Sequence, residues 1–265
     1  MSVTDGEREK IPRAQTRSLE RGLRALEYVA LAGEVGVGDV ADALLLPRAT
    51  AHILLSTLMR AGYLRQAKRR GRYRLDLQVI PLAQSALRQL PVRERAAPPL
   101  HELAAQTGLA AYLAVLFRGQ AMTIDRIVPT PRPEARVDLG QTNPAYASSM
   151  GKALLAYLAP AELEAYLASV RFEQRTERTI TTLEELHREL ERTRERGYAL
   201  SEGEHRPNVR SIAAPIFSYE GDSVAAVCVA HYTPFDQPPP DTVVRAVVNA
   251  AKQISYALGY GAKPE

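Results

Sequence analysis

VGDVADALLLPRATAHILLSTLMRAGYLRQAKRRGRYRL, running from Val37 to Leu75, decides how the first part of this chain folds. Val37, Val40, Ala41 and Leu44 recur at helical spacing and form the apolar stripe of a short helix. Pro47 suits the first turn of a second helix that runs to about Ala61 and is stopped by Gly62. On that helix Ala51, Leu54, Leu55 and Leu58 share one face and are expected to pack inward. Ala49, His52, Ile53, Ser56 and Arg60 share the other, and Arg48 and Thr50 stand near the N-terminus. Tyr63–Ala67 and Arg72–Leu75 then read as two strands, turned at Lys68-Arg69-Arg70-Gly71. The order is that of a winged helix-turn-helix. Arg60, Arg65, Lys68, Arg69, Arg70, Arg72 and Arg74 follow one another with no acid until Asp76, a cationic ribbon beside an outward-facing helix. Such an arrangement grips duplex DNA.

Upstream of this stretch, residues 1–16 are polar and are expected to be a flexible tail. Ser18 is a plausible N-cap for a helix to about Ala32, with Leu19, Leu23, Leu26 and Val29/Ala30 as its stripe and Gly33 as its end. The DNA-binding unit is therefore expected over 17–76. Downstream, residues 77–92 are expected to hold a linker helix, with Pro81 in its first turn. A second domain, 93–265, begins near Arg93 with a helix following Pro98-Pro99. Strands are expected at Ala111–Phe117, Met122–Val128, Tyr198–Glu202, Ile212–Ser218 and Ser223–Tyr232. Helices are expected over Ser148–Ala159, Pro160–Val170, Leu183–Arg196 and Asp241–Leu258. A mostly antiparallel sheet flanked by helices makes this an α+β domain with room for a pocket.

The charge distribution agrees with that division. Residues 1–91 hold 15 Lys or Arg against 9 Asp or Glu, a balance of +6, and the remainder holds 19 against 21, a balance of −2. The positive excess thus belongs to the DNA-binding end, as expected of a nucleic-acid module joined to a near-neutral domain with another task. One cysteine, Cys228, excludes an internal disulfide and fits a reducing cytoplasm. No apolar run approaches the roughly 20 residues of a membrane span, and Met1–Arg17 lacks a signal-peptide core. The five His have no metal-ligand spacing, and no Gly-rich phosphate loop, nucleophile elbow or paired-carboxylate motif is present. No metal or cofactor is therefore expected, and no enzymatic site.

In the second domain Ser148, Ser149 and Met150 lie at an expected helix start, where free backbone N–H groups suit an anion; simple capping by the serines is the plainer alternative. Arg210 is a candidate counter-ion, although its neighbour Ser211 on the same strand points it to the opposite face. Cys228 lies in an apolar run expected to be a buried strand, where a structural thiol is the ordinary role.

Four collinear segments resemble the IclR-type transcriptional regulators. They are Arg17-Ser18-Leu19-Glu20-Arg21-Gly22-Leu23, Pro47-Arg48-Ala49-Thr50-Ala51-His52, Ala145 to Ala156, and Gly197-Tyr198-Ala199-Leu200 with Arg210 to Ile216. The resemblance spans residues 17 to about 260. It implies a winged helix-turn-helix joined to a GAF-like effector-binding domain, acting as a dimer or tetramer on palindromic operator DNA under control of a small molecule. The second-domain segments look closest to the subgroup controlling aromatic-acid catabolism of the protocatechuate or 4-hydroxybenzoate type. Carried over residue by residue, it puts Ser149, Met150, Ser201, Ser211, Cys228 and Ala230 on the pocket wall. Ser201 and Ser211 stand where other members often have an acid and a cysteine, which favours an anionic ligand.

For DNA, Arg17, Arg69, Arg70 and Arg72 are assigned to phosphates and Arg48, Thr50 and His52 to bases. Two departures stand out. Leu45 occupies a turn position where the family usually has Gly; a left-handed Leu costs roughly 1–2 kcal/mol, which points to a reshaped turn. Ile53 replaces a common basic residue and suits a thymine methyl instead. The competing reading is a small-acid enzyme tethered to nucleic acid by its basic domain. A general packaging protein would leave the second domain unexplained.

Overall fold

The computed structural model describes residues 16–66, 71–129, 137–232 and 238–261. The chain divides into two compact units, Met1–Ala86 and Leu87–Glu265.

In the first unit α1 (Arg17–Ala32), α2 (Val37–Ala43) and α3 (Arg48–Arg60) precede a hairpin of β1 (Leu64–Gln66) and β2 (Tyr73–Leu75). The strands are antiparallel, with Leu64 opposite Leu75 and Gln66 opposite Tyr73, and Val35 bridges Tyr73 from outside. A core of Ala25, Val29, Val35, Val40, Ala51, Leu55, Leu64 and Tyr73 holds helices and wing together. The α2 and α3 faces are those the periodicity assigns. In α1, however, Ala25 and Val29 are buried while Leu19 and Leu23 are 63% and 52% exposed, and the N-cap is Thr16 rather than Ser18. The turn before α3 is not reshaped: Leu45 adopts φ +53° with its side chain in solvent. It takes a left-handed corner and bears the steric cost that glycine avoids.

α4 (Val79–Arg88) crosses the boundary between the units and contributes no fully buried residue. α5 (Pro91–Thr107) starts earlier than expected, at Pro91 in its first turn, and continues through Pro98 and Pro99. Two lost N–H donors are tolerated because Val92, Ala96, Leu100, Leu103 and Ala104 bury one continuous face.

The second unit is built on six antiparallel strands: β3 (Ala110–Phe117), β4 (Gln120–Ile127), β5 (Thr142–Pro144), β6 (Ala199–Glu202), β7 (Val209–Phe217) and β8 (Ser223–Tyr232). Their order is β5-β4-β3-β8-β7-β6. α5 and α9 (Asp241–Ala257) cover one face. α6 (Ser149–Leu155) lies on the other, entered through a 3-10 turn at Ala145–Ala147 and backed by α7 (Pro160–Ser169) and α8 (Leu183–Arg196). β5 and the turn were not expected from the sequence, and α6 is shorter than expected. A Cβ on Gly151 would overlap the Ala145 backbone, so α6 sits on that turn only because position 151 is bare.

The two faces of the sheet differ in bulk. Ala111, Leu113, Ile212, Val227 and Val229 fill the α5–α9 side. On the α6 side, cross-strand register aligns Ser201, Ser211, Ala230 and Ala110 in one row and Ala199, Ala213, Cys228 and Tyr112 in the next. Seven of those eight side chains are Ala, Ser or Cys. A helix packed on so thin a surface cannot fill it, and a cavity results.

Candidate functional site

The cavity opens between α6 and that small-residue surface, a cleft of about 50 Å³. Ser149 and Met150 line it from α6 with the N-cap Ser148, and Ser201, Ser211, Cys228 and Ala230 line it from the sheet. Tyr112 supplies the one large ring among the sheet positions, and His205 and Arg206 enter from the loop between β6 and β7.

The hydroxyls have distinct roles. Ser148 caps α6: its Oγ accepts from Gly151 N at 3.2 Å and donates to Pro144 O at 3.1 Å. Its hydroxyl is thus occupied within the chain, and α6, seven residues long, is capped by its own serine. Ser201 donates to Ala147 O at 3.2 Å. Ser149 Oγ donates to Ser211 Oγ at 2.7 Å and lies 3.5 Å from Cys228 Sγ. That leaves the Ser211 hydroxyl proton without an acceptor among the described residues, a donor left over for a bound group. Burial pushes the Cys228 thiol up to about 12, overriding the Ser149 hydrogen bond, so it is a protonated wall group and no nucleophile.

Arg210 is not on this wall. It pairs with Glu202 at 2.7 Å, its partner in the β6–β7 register, and the next residue, Ser211, takes the cavity side. Alternation along the strand decides this. The cation that does line the cavity is Arg206, and among the described residues no Asp or Glu lines it. Sequence reading missed Arg206 and His205 because both sit in an irregular loop, where no periodicity assigns a face. Burial, reinforced by the guanidiniums of Arg175 and Arg206, pulls the His205 imidazole down to about 4, so it is neutral at physiological pH.

In the first unit Arg17, Arg48, His52 and Ile53 are exposed and Thr50 is half-buried. The Arg48 guanidinium reaches back over α2, where a Cβ at Gly38 would make ordinary contact with Nη2 at 3.7 Å. Arg69 and Arg70 lie outside the described residues. Arg72 departs from its expected role, since its Nη2 donates to Glu34 O at 2.9 Å and to Asp39 Oδ2 at 2.7 Å. Arg74 meets Glu34 at 3.4 Å. The ribbon is acid-free in sequence, but the fold brings Glu34 and Asp39 to it, and Arg72 fastens the wing to the start of α2.

Among the described residues no helix is long and apolar enough to cross a membrane. Residues 18–68 match the IclR helix-turn-helix domain and residues 84–256 the C-terminal domain of the bacterial transcriptional regulator IclR. The chain is 31% identical over 248 residues to the HTH-type transcriptional regulator XynR of Escherichia coli strain K12, covering 93% of this chain and 98% of that protein. The crystal structure of an IclR-type regulator from Alicyclobacillus acidocaldarius superposes with a TM-score of 0.79 at 27% identity, over 93% of this chain and 100% of that one. A homologue from Microbacterium hydrocarbonoxydans, solved in complex with 4-hydroxybenzoate, gives 0.76 at 26% identity, over 91% and 98%. With its helix-turn-helix unit and effector-binding C-terminal domain, the chain belongs to the IclR family of bacterial DNA-binding transcriptional regulators.

Proposed function

We propose that the cavity binds a small carboxylic acid, and that this binding changes the affinity of the first unit for an operator. The observation that carries the reading is the charge of the wall: among the described residues it holds one guanidinium, Arg206, no carboxylate, and the Ser149–Ser211 hydroxyl pair. A monoanion entering such a site gains charge-assisted hydrogen bonds without like-charge repulsion. The ring of Tyr112 and the 4-hydroxybenzoate held by the Microbacterium homologue favour an aromatic acid, hence a regulator of aromatic-acid catabolism. The protonated Cys228 gives no support to the enzyme alternative.

On the DNA side, α3 presents Arg48, Thr50 and His52 to base edges with Ile53 against a thymine methyl, while Arg17, Arg69 and Arg70 contact phosphates. Leu19, Leu23 and Leu31 of α1 and Leu77, Ile80 and Leu82 around α4 are exposed apolar side chains that a homodimer would cover. That supports a dimer, or a pair of dimers forming a tetramer, on a palindromic operator. The effector acts by binding two conformations unequally. The signal passes to the DNA heads through the segment that joins the units, around Leu77–Leu90. A DNA-directed chain with one buried thiol functions in the cytoplasm.

A thermal-shift screen of carboxylates on the full chain tests the ligand reading. A true effector at 100 times its dissociation constant stabilises by about 2.7 kcal/mol. No stabilisation by any acid, aromatic or aliphatic, contradicts it.

A further inference from the structure

The loop Gly203–Asn208, between β6 and β7, is held from three sides. Thr176 Oγ1 donates to Gly203 O at 2.7 Å, and Thr179 Oγ1 donates to Glu204 O at 2.7 Å. Gly203 N donates to Val209 O at 2.8 Å, closing the loop on itself. The Glu204 carboxylate takes both oxygens to Lys152 Nζ, at 2.7 and 2.9 Å, and the Lys152 side chain is 1% exposed. Lys152 lies three residues along α6 from Ser149. One helix therefore holds both the serine pair on one wall and the loop that forms another.

The two residues after this anchor, His205 and Arg206, are the ones that reach the cavity. Of these two side chains, His205 has its Nδ1 buried with no hydrogen-bond partner among the described residues. A buried, unpaired polar atom is costly, and in a binding cavity it marks the place where a ligand supplies the partner. Because the imidazole is neutral, it presents one N–H and one lone pair, and can accept from a ligand hydroxyl or donate to its oxygen.

Resting on the carboxylate reading above, the geometry points to His205 as the residue that selects among acids. The effector is a hydroxy acid, its carboxylate toward Arg206 and its hydroxyl paired with Nδ1. An acid with only C–H at that place leaves Nδ1 desolvated and unpaired. A site built to hydrogen-bond a hydroxyl rejects the analogue lacking it for that reason.

Calorimetric titration of the full chain at neutral pH tests this with benzoate against the three monohydroxybenzoates, and propionate against lactate. In the wild type at least one hydroxy acid binds at least about tenfold more tightly than its parent acid. In His205→Leu the preference falls below about threefold, and His205→Gln, which retains hydrogen-bonding capacity, restores part of it. Should the leucine variant fail to fold, the reduced preference of His205→Gln carries the test. Equal binding of hydroxy and parent acids by the wild type overturns the assignment, as does a preference intact in both variants. If no acid of either kind binds the wild type, the carboxylate reading itself fails, and the selectivity reading with it.

Discussion

Ser149 on α6 donates to Ser211 on β7 across 2.7 Å, so the helix and the sheet meet at the cavity through a pair of hydroxyls beside the apolar packing of Met150, Ala153 and Leu154. The contact keeps the two walls together without closing the space between them. Ser211→Leu places a large side chain into that space. Small-acid binding measured by calorimetry should be abolished, at a stability cost of about 1–3 kcal/mol from overpacking. Retained acid affinity in a folded Ser211→Leu chain would place the ligand elsewhere.

Lys152 is buried against Glu204, with Glu189 3.5 Å away. Burial pushes the Glu204 carboxyl up even beside the ammonium, so the pair is sustained by its mutual contact and not by solvent. Lys152→Met leaves the buried Glu204 carboxylate without its cation, while Glu189 keeps Arg196 at 2.7 Å, and should destabilise by about 3–5 kcal/mol, read as a lower urea midpoint. Adding Glu204→Gln should recover part of the loss. No recovery in the double variant would mean that the ammonium acts through something other than this pair.

The His205 imidazole sits at about 4 in the folded chain against an ordinary 6.5. As pH falls through 6.5 the unfolded chain takes up a proton that the folded chain refuses, and stability is lost down to about 4. Thermal midpoints of wild type and His205→Gln, compared pH by pH, should differ by a constant amount above neutrality. Between 6.5 and 4 the wild type should lose ground. A difference that stays flat throughout contradicts the neutral, buried histidine.

Leu45 holds φ +53° with its side chain in solvent. Leu45→Gly removes the steric cost but adds freedom to the unfolded chain, for a net gain of about 0.5–1 kcal/mol in denaturant titration. A loss of stability would show that the exposed side chain makes a contact this turn needs.

At the DNA end, Arg48→Ala should reduce discrimination at one base position by about 1–3 kcal/mol. Arg70→Ala should weaken specific and nonspecific binding alike and flatten the salt dependence. Arg72→Ala should leave the salt slope nearly unchanged, because its guanidinium is tied to Glu34 O and Asp39. A slope that flattens equally for Arg70→Ala and Arg72→Ala would return Arg72 to the phosphate contacts.

Periodicity made α2, α3 and the hairpin legible, because a two-helix motif and a wing announce themselves within forty residues. All strands of the second unit but the three-residue β5 were legible for the same reason, and the alternation that puts Ser211 in the cavity also puts Arg210 outside it. The cavity itself was written in the sequence as Ala, Ser and Cys at alternate positions of β3, β6, β7 and β8. Reading it required the register that sets those strands side by side, which single-strand patterns do not contain. His205 and Arg206 were hidden because a loop held by Thr176, Thr179 and Lys152 takes its shape from partners distant in the chain. Asp39 and Glu34 escaped notice beside the basic ribbon for the same reason.

The central claim is that an acid in this cavity sets the affinity for DNA. It is tested most directly by titrating a labelled duplex carrying an operator selected for the full chain, with and without the tightest-binding acid, for wild type and Ser211→Leu. The account predicts a change in operator affinity of at least about fivefold in the wild type, the lower end of ordinary allosteric coupling, and none in the variant, whose affinity without acid stays intact. An equal response in both proteins, or none in the wild type at saturating acid, contradicts it.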